Sequence, residues 1–270
     1  MAFAPFDLSG RVALITGGNG GIGLGMARGL VQAGCSVCIW GTSDEKNAAA
    51  LAELEALVQV PPDGDAPRPG VAAMKVDVGD RPQVDDAFAQ TLERFGRVDG
   101  CFANAGVGGR ARSFDEMSPE EWQRVLRVNL DGVYHTFQNA TRHMVDRSRA
   151  GDPFGRLVGT ASLAALSGQP RGEHYAASKG ALVAMIKALA VEYARHGVTA
   201  NTILPGWIET AMTETTFANE KFESVVIKRI PARRWGRPED FAGIAIYLMS
   251  TASDYHSAET FLIDGGYFVF

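Results

Sequence analysis

The sequence predicts an α/β fold: a doubly wound parallel sheet of about seven strands with helices on both faces. Three observations carry that expectation. Short apolar runs alternate with stretches of helical spacing along the whole chain, the pattern of parallel strands joined by crossover helices. The first run ends in clustered glycines ahead of a helix, the context of a phosphate-binding turn. The 270 residues, 46% hydrophobic, suffice for one large core, so 1–270 reads as a single domain.

The elements follow in order. Arg11 to Thr16 (RVALIT) is the first strand, and helical spacing resumes from Ile22 to Leu30. The glycines between them fit two registers, Gly18-x-Gly20-x-x-Gly23 or Gly17-x-x-x-Gly21-x-Gly23, and either leaves backbone N–H groups and a positive helix end facing a pyrophosphate. That turn makes the fold Rossmann-type. Ser36 to Trp40 is the second strand and Asp44 to Val58 a helix. Where a dinucleotide fold usually keeps an acidic residue for the ribose diol, Gly41 stands, followed by Thr42 and Ser43. Those two hydroxyls suit a phosphate or a helix cap, and Lys46 is the nearest cation, so NAD and NADP both remain open with a slight lean to NADP.

Pro61 to Gly70 reads as an exposed loop. Val71 to Val76 is a third strand ending at Asp77-Val78, Arg81 to Phe95 a helix, and Val98 to Phe102 a fourth strand running into Asn104-Ala105-Gly106. Ser118-Pro119-x-Glu121 predicts a capped helix start with a capping box, continuing to about Val145 and carrying Asn129. Leu157 to Thr160 is a fifth strand leading to Ser162. A long helix then opens with Tyr175-Ala176-Ala177-Ser178-Lys179, where i and i+4 spacing puts a phenol and an ammonium on one face. A cation beside a phenol favours phenolate, so the pair predicts an acidified tyrosine able to exchange a proton with a substrate oxygen. Val198 to Leu204 is a sixth strand before Pro205-Gly206-Trp207-Ile208-Glu209-Thr210. Residues 211–229 have weak periodicity and read as a cover over the pocket, mixing Met212, Phe217 and Phe222 with Glu220 and Lys221. Pro238 to Ser250 is helical and Thr260 to Ile263 is the last strand.

Charge and cysteines narrow the class. A net charge of −5 with scattered Lys and Arg gives no nucleic-acid footprint. No apolar run approaches the roughly 20 residues of a membrane span, which predicts a soluble, cytoplasmic protein without a membrane partner. Three cysteines make no disulfide framework; Cys35-x-x-Cys38 lies where a strand begins, so these read as buried thiols. No His/Cys/Asp/Glu cluster has metal-ligand spacing, and no metal is expected.

Together the motifs resemble the short-chain dehydrogenase/reductase family from about Leu8 to Gly266: Thr16-Gly17-x-x-x-Gly21-Ile22-Gly23, Asp77-Val78, Asn104-Ala105-Gly106, Asn129, Ser162, Tyr175-x-x-x-Lys179 and Pro205-Gly206. Ala103 departs from the pattern, since many members carry a second asparagine there. The resemblance implies a hydride-transferring alcohol/ketone oxidoreductase. Tyr175 would act as general acid or base, Ser162 would bind the carbonyl oxygen, Lys179 would lower the tyrosine pKa and hold the nicotinamide ribose, and Asn129 would hold a water linking Lys179 to solvent. It further implies cofactor contacts at Gly17, Asn19, Gly21, Ile22, Gly23, Thr42, Ser43, Asp77, Val78, Asn104, Ala105, Gly106, Pro205, Gly206, Ile208 and Thr210. Family members are commonly tetramers, which would bury the apolar tail Tyr267 to Phe270 in a homotetramer or homodimer.

Alternatives stay beside this reading. Non-catalytic dinucleotide sensing is the second; sugar-nucleotide epimerase work, which normally needs a larger C-terminal substrate domain, is a third. Substrates span sugar alcohols, 3-oxoacyl thioesters and cyclic ketones. His174, about 100° around the helix from Tyr175, is expected to face away from the site. Trp207 suits pocket lining and core packing equally.

Overall fold

Parallel strands and their crossover helices account for most of the chain in a computed structural model, which describes residues 4–58, 68–109, 111–214 and 220–270. The strands are β1 (Val12–Thr16), β2 (Ser36–Gly41), β3 (Val71–Lys75), β4 (Gly100–Ala103), β5 (Gly155–Thr160), β6 (Val198–Pro205) and β7 (Thr260–Ile263). They form one sheet of seven in the order β3-β2-β1-β4-β5-β6-β7, every pairing parallel. The chain starts in the middle, winds outward through β2 and β3, then returns to place β4 against β1. That reversal leaves a crevice beyond the carboxyl ends of β1 and β4, where open α/β sheets take ligands.

Because the side-chain period of a strand is two, β1 feeds both faces: Leu14 enters one core and Ala13 with Ile15 the other. The first core is closed by α3 (Arg81–Phe95), α5 (Gly132–Arg149) and α7 (Glu173–Tyr193), which follows the short α6 (Ala164–Ser167), and the second by α1 (Gly21–Gln32), α2 (Asp44–Leu57) and the helix Ala242–Met249. Cys38 and Cys101 lie in the first core and Cys35 in the second, so the C-x-x-C sulfurs are on opposite faces of the sheet. All three thiols are free and buried, and burial pushes Cys38 up to about 11.

Local chemistry sets the boundaries. Ser43 caps α2 by accepting from the Lys46 N–H; Asp80 caps α3, and Gly96 ends it with φ of 74°. The fourth strand starts two residues later than expected because the Val98 N–H donates to His143 Nε2 and its carbonyl accepts from Arg147, instead of joining the ladder. Ser118 caps α4 (Pro119–Leu126), but the capping box is not completed: Glu121 turns its carboxylate to Arg124 and His174. The expected single helix from Ser118 to Val145 is interrupted by a π segment, Arg127–Asp131, before α5. One extra residue per turn there swings Asn129 inward, a feature that periodicity does not register.

The expected helix Pro238 to Ser250 is a 3-10 turn, Pro238–Phe241, followed by the helix Ala242–Met249. Farther along, α8 (Glu220–Arg229) is helical, and its Val226 packs with Ile230 and Trp235. Residues 215–219, with Phe217, and 61–67 of the proline-rich loop lie outside the described residues, as do the side chains of Glu220, Lys221 and Phe222. The tail forms a 3-10 turn, Tyr267–Val269, with Val269 83% and Phe270 67% exposed in the single chain. Among the described residues, no helix is long and apolar enough to cross a membrane.

Candidate active site

The crevice holds a cavity of about 540 Å³, lined from the carboxyl ends of β1 through β6 and from the exposed face of α7. The glycine turn forms one end. Gly17 and Gly21 have positive φ, and a Cβ on Gly23 would overlap the Gly17 carbonyl oxygen. Gly20 has open space around it, so Gly17-x-x-x-Gly21-x-Gly23 is the register that shapes the turn. Gly17, Asn19, Gly21 and Ile22 line the cavity; Gly23 does not, and serves to press α1 against the turn. Asn104 locks the same turn from β4, donating through Nδ2 to the Thr16 and Gly17 carbonyls, while Thr16 Oγ1 accepts from the Asn104 and Ala105 N–H groups.

At the end of β2, Thr42 and Lys46 line the cavity, whereas Ser43 is turned to its capping role. Gly41 is closed to any side chain: a Cβ would overlap the Asn19 amide and stand 2.5 Å from Asn47 Oδ1. Asn19 Nδ2 donates to that oxygen at 2.7 Å, and Asn47 is itself held by the Gly41 and Met74 carbonyls. Asp77 and Val78 line the next stretch. Asp77 accepts from Arg127 at 2.9 Å and from the Gly79 N–H.

The other end gathers Ser162, Tyr175 and Lys179 on the cavity wall, with Pro205, Gly206, Ile208 and Thr210 also in the lining. Lys179 is 4% exposed and donates Nζ to the Thr160 carbonyl at 2.8 Å. Burial lowers its pKa to about 8, because the charged form loses hydration that one carbonyl does not replace. Tyr175 runs against the expectation of an acidified phenol. Its pKa is raised, burial being the larger effect and a hydrogen bond with Ser162 the smaller, opposing one. Lys179 Nζ stands 5.7 Å from the Tyr175 ring centre, and with both groups buried the phenol is still driven towards its neutral form.

Asn129 is fully buried and does not line the cavity. Its Oδ1 accepts from the Val107 N–H at 2.8 Å, and its Nδ2 donates to the Val107 carbonyl at 3.0 Å and towards Ser178 Oγ at 3.3 Å. The amide therefore holds Gly106 and Val107, which do line the cavity, beside Lys179. His174 faces away from the cavity, as expected, and meets Glu121. Trp207 packs with Tyr267 and the α8 cluster, and lines a smaller cavity of about 250 Å³ with Asp264 and Arg234 rather than the main one.

Ala211, Met212 and Thr213, the start of the segment expected to cover the pocket, do line it, whereas sequence reasoning missed Trp40, Val76, Val107, Arg127, Val128 and Ala161. Val107 directly follows the Asn-Ala-Gly turn and Ala161 directly precedes Ser162, so extending each motif by one residue would have found them. Arg127 carried no such signal, because the π segment presents it. Among the described residues no group of three or more His, Cys, Asp or Glu is placed to hold a metal. The arrangement offers a helix N-terminus for phosphates at one end and a hydroxyl, a phenol and a buried amine around one point at the other.

Similarity to known proteins agrees with this geometry. A family model described as enoyl-(acyl carrier protein) reductase matches residues 17–268. The chain is 34% identical to the 3-oxoacyl-acyl-carrier-protein reductase FabG of Chlamydia pneumoniae, covering 96% of this chain and 97% of the relative. It is likewise 34% identical to the gluconate 5-dehydrogenase of Gluconobacter oxydans, over 97% and 96%. Among solved structures, a gluconate 5-dehydrogenase from Burkholderia cenocepacia in complex with NADP and tartrate superposes with a TM-score of 0.88 at 34% identity, covering 99% of this chain and 100% of that one.

Proposed function

This chain belongs to the short-chain dehydrogenase/reductase family and is an NAD(P)-dependent oxidoreductase of alcohols and ketones, and on that premise we propose that Tyr175 exchanges the substrate proton with Ser162, Lys179 and Asn129 in support. The observation that carries the reading is the convergence of Ser162, Tyr175 and Lys179 on a cavity whose other end is the glycine turn of α1.

The residues fit a dinucleotide. Gly17 and Gly21 leave the α1 N-terminus open to a pyrophosphate, Asp77 and Val78 flank the far end, and Lys179 and Thr210 reach the near end. When bound, the nicotinamide supplies or accepts the hydride. In reduction the Tyr175 hydroxyl gives its proton to the carbonyl oxygen while the Ser162 hydroxyl donates a hydrogen bond to the same atom; in oxidation the phenolate takes the proton back. Lys179 stabilises that phenolate as a buried cation, and Asn129 fixes the wall behind it.

NADP is the favoured cofactor. Gly41 admits no carboxylate that would repel a 2′-phosphate, and Thr42 and Lys46 stand beside it. NADP is also the dinucleotide in the Burkholderia gluconate 5-dehydrogenase structure. The substrate is a secondary alcohol or its ketone, with polyhydroxy acids and 3-oxoacyl thioesters the first classes to test, by analogy with the named relatives. The chain works as one domain with the segment 211–229 as its cover, in a cytoplasmic homotetramer or homodimer that buries the tail Tyr267 to Phe270, since an exposed apolar patch of this kind favours association.

Nicotinamide absorbance with both dinucleotides and a panel of such alcohols and ketones tests the reading. Turnover that disappears in Tyr175→Phe supports it. Tight dinucleotide binding with no turnover on any member of the panel restores the sensor reading.

A further inference from the structure

Residues 106–109, whose first two line the cavity, are fastened from behind by four side chains that do not touch it, Asn129, Arg124, Glu121 and His174. Gly106 and Val107 line the cavity, and Asn129 holds Val107. One residue on, the Gly108 carbonyl accepts from Arg124 Nη2 at 2.8 Å. Arg124 is in turn oriented by Glu121, with Nε and Nη2 each bonded to a different carboxylate oxygen at 2.7 and 2.9 Å. Two parallel bonds fix the plane of the guanidinium, which aims Nη2 at the wall. Glu121 Oε1 also meets His174 Nε2 at 3.2 Å, and His174 is fully buried, immediately before Tyr175 on α7. The fit at Gly109 is tight: a Cβ there would overlap His174 Nε2 and stand 2.7 Å from Glu121 Oε1. The Ala111 N–H then donates to the Arg171 carbonyl at 2.8 Å, tying the end of the same loop to the approach of α7.

Wall position matters because of what lies across the opening. A methyl group added at Gly108 would stand only 3.7 Å from Met212 Cγ and 3.8 Å from its sulfur. Met212 is half exposed and belongs to the turn after Thr210 that covers the cavity. The separation between the Gly108 backbone and Met212 is therefore about one side-chain atom, and a shift of the wall by that much opens or closes the entrance.

We infer that His174, Glu121 and Arg124 are positioning residues that hold the 106–109 wall at a fixed distance from Tyr175 and Met212, and so set the width of the substrate entrance. This rests on the oxidoreductase reading of the cavity but concerns residues outside it. Arg124 keeps Glu121 ionised, with its pKa lowered to about 2, so the fastening persists across the working pH range. The role is confined to substrate access, because none of the three residues touches the glycine turn or the reacting hydroxyls.

The test uses Arg124→Ala and Arg124→Lys in the full chain. Arg124 is about half exposed, so its truncation leaves the core intact. For Arg124→Ala the expected result is a KM for the best alcohol or ketone raised about tenfold, with kcat within about threefold and the dinucleotide Kd within about twofold of the parent. Arg124→Lys, which still offers a donor to the Gly108 carbonyl, recovers most of the loss. His174→Phe shifts KM in the same direction, and the double variant adds little, because both act through one carboxylate. Amide hydrogen exchange over residues 107–109 and 111 accelerates in Arg124→Ala and stays slow in Arg124→Lys. Unchanged KM and unchanged exchange in Arg124→Ala overturn the inference, whatever happens to the melting temperature. If the parent itself turns over nothing, the oxidoreductase reading fails, while the exchange result still decides whether the wall is held this way.

Discussion

Lys179 holds its Nζ 5.7 Å from the centre of the Tyr175 ring while donating to the Thr160 carbonyl at 2.8 Å. Both groups are drawn towards their neutral forms by burial: the lysine pKa falls to about 8 and the tyrosine pKa rises. Burial thus favours the proton on the phenol, which under the proposed mechanism is the proton given to a ketone oxygen. Tyr175→Phe removes that proton and nothing else of size. Turnover in either direction falls by about 10² to 10⁴, the usual contribution of a positioned acid–base group, while dinucleotide affinity stays within about threefold of the parent. Stopped-flow absorbance with a binding titration checks both halves.

The same burial makes folding stability depend on pH. Unfolded, Lys179 holds its proton up to its ordinary value of 10.5; folded, it releases it near 8. Between those values the unfolded chain binds more protons, so stability rises with pH through the window, and the cost is complete below about 8. Tyr175 opposes this only above its ordinary value of 10, where the folded chain is the one that keeps a proton. Urea unfolding at pH 7.5 and 9.5 should show the parent gaining about 1–2 kcal/mol more than Lys179→Met over that interval. Equal gains in the two proteins contradict the buried-amine account.

Asn129 offers a separate test of the wall. Its fully buried amide satisfies both the N–H and the carbonyl of Val107. Asn129→Ala leaves both backbone groups to compete for water at a partly closed surface, with an expected loss of about 1–3 kcal/mol. Asn129→Asp keeps the acceptor for the Val107 N–H but sets a carboxylate against the Val107 carbonyl, so it should be no more stable than the alanine variant. Denaturant midpoints at one pH decide this.

These residues also show what a sequence can and cannot carry. The sheet was legible because parallel strands buried on both faces read as continuous apolar runs, as β1 does, with every residue buried. The Tyr175–Lys179 pair on the cavity wall was legible because a helix fixes that spacing locally. The π segment was not, since one inserted residue changes which way Asn129 points without changing the composition around it. Gly23 and Ser43 carry motif identities that suggested cofactor contact, yet each faces the scaffold: Gly23 lies against the Gly17 carbonyl and Ser43 against the Lys46 N–H. The sign of the Tyr175 shift was out of reach for another reason. Spacing reveals a neighbouring cation but not how much water both groups lose, and here the lost water decides.

Cofactor choice follows from the crowding at Gly41. An acidic side chain there, the usual way to favour NAD, would have to displace the Asn19 amide and the Asn47 oxygen that bonds it at 2.7 Å. Gly41→Asp should therefore destabilise the fold and weaken both dinucleotides, rather than convert one preference into the other. Lys46 lies at the exposed rim of the same stretch. Lys46→Ala is expected to weaken NADP by roughly two- to fivefold, the scale of one exposed charge contact, with NAD within about twofold of the parent. The NADP loss should shrink as salt is raised, because the contact sits in screened water. Isothermal titration of both dinucleotides at low and high salt reads these effects directly, and a Lys46→Ala variant that loses NAD and NADP equally would place the 2′-phosphate away from this end of β2.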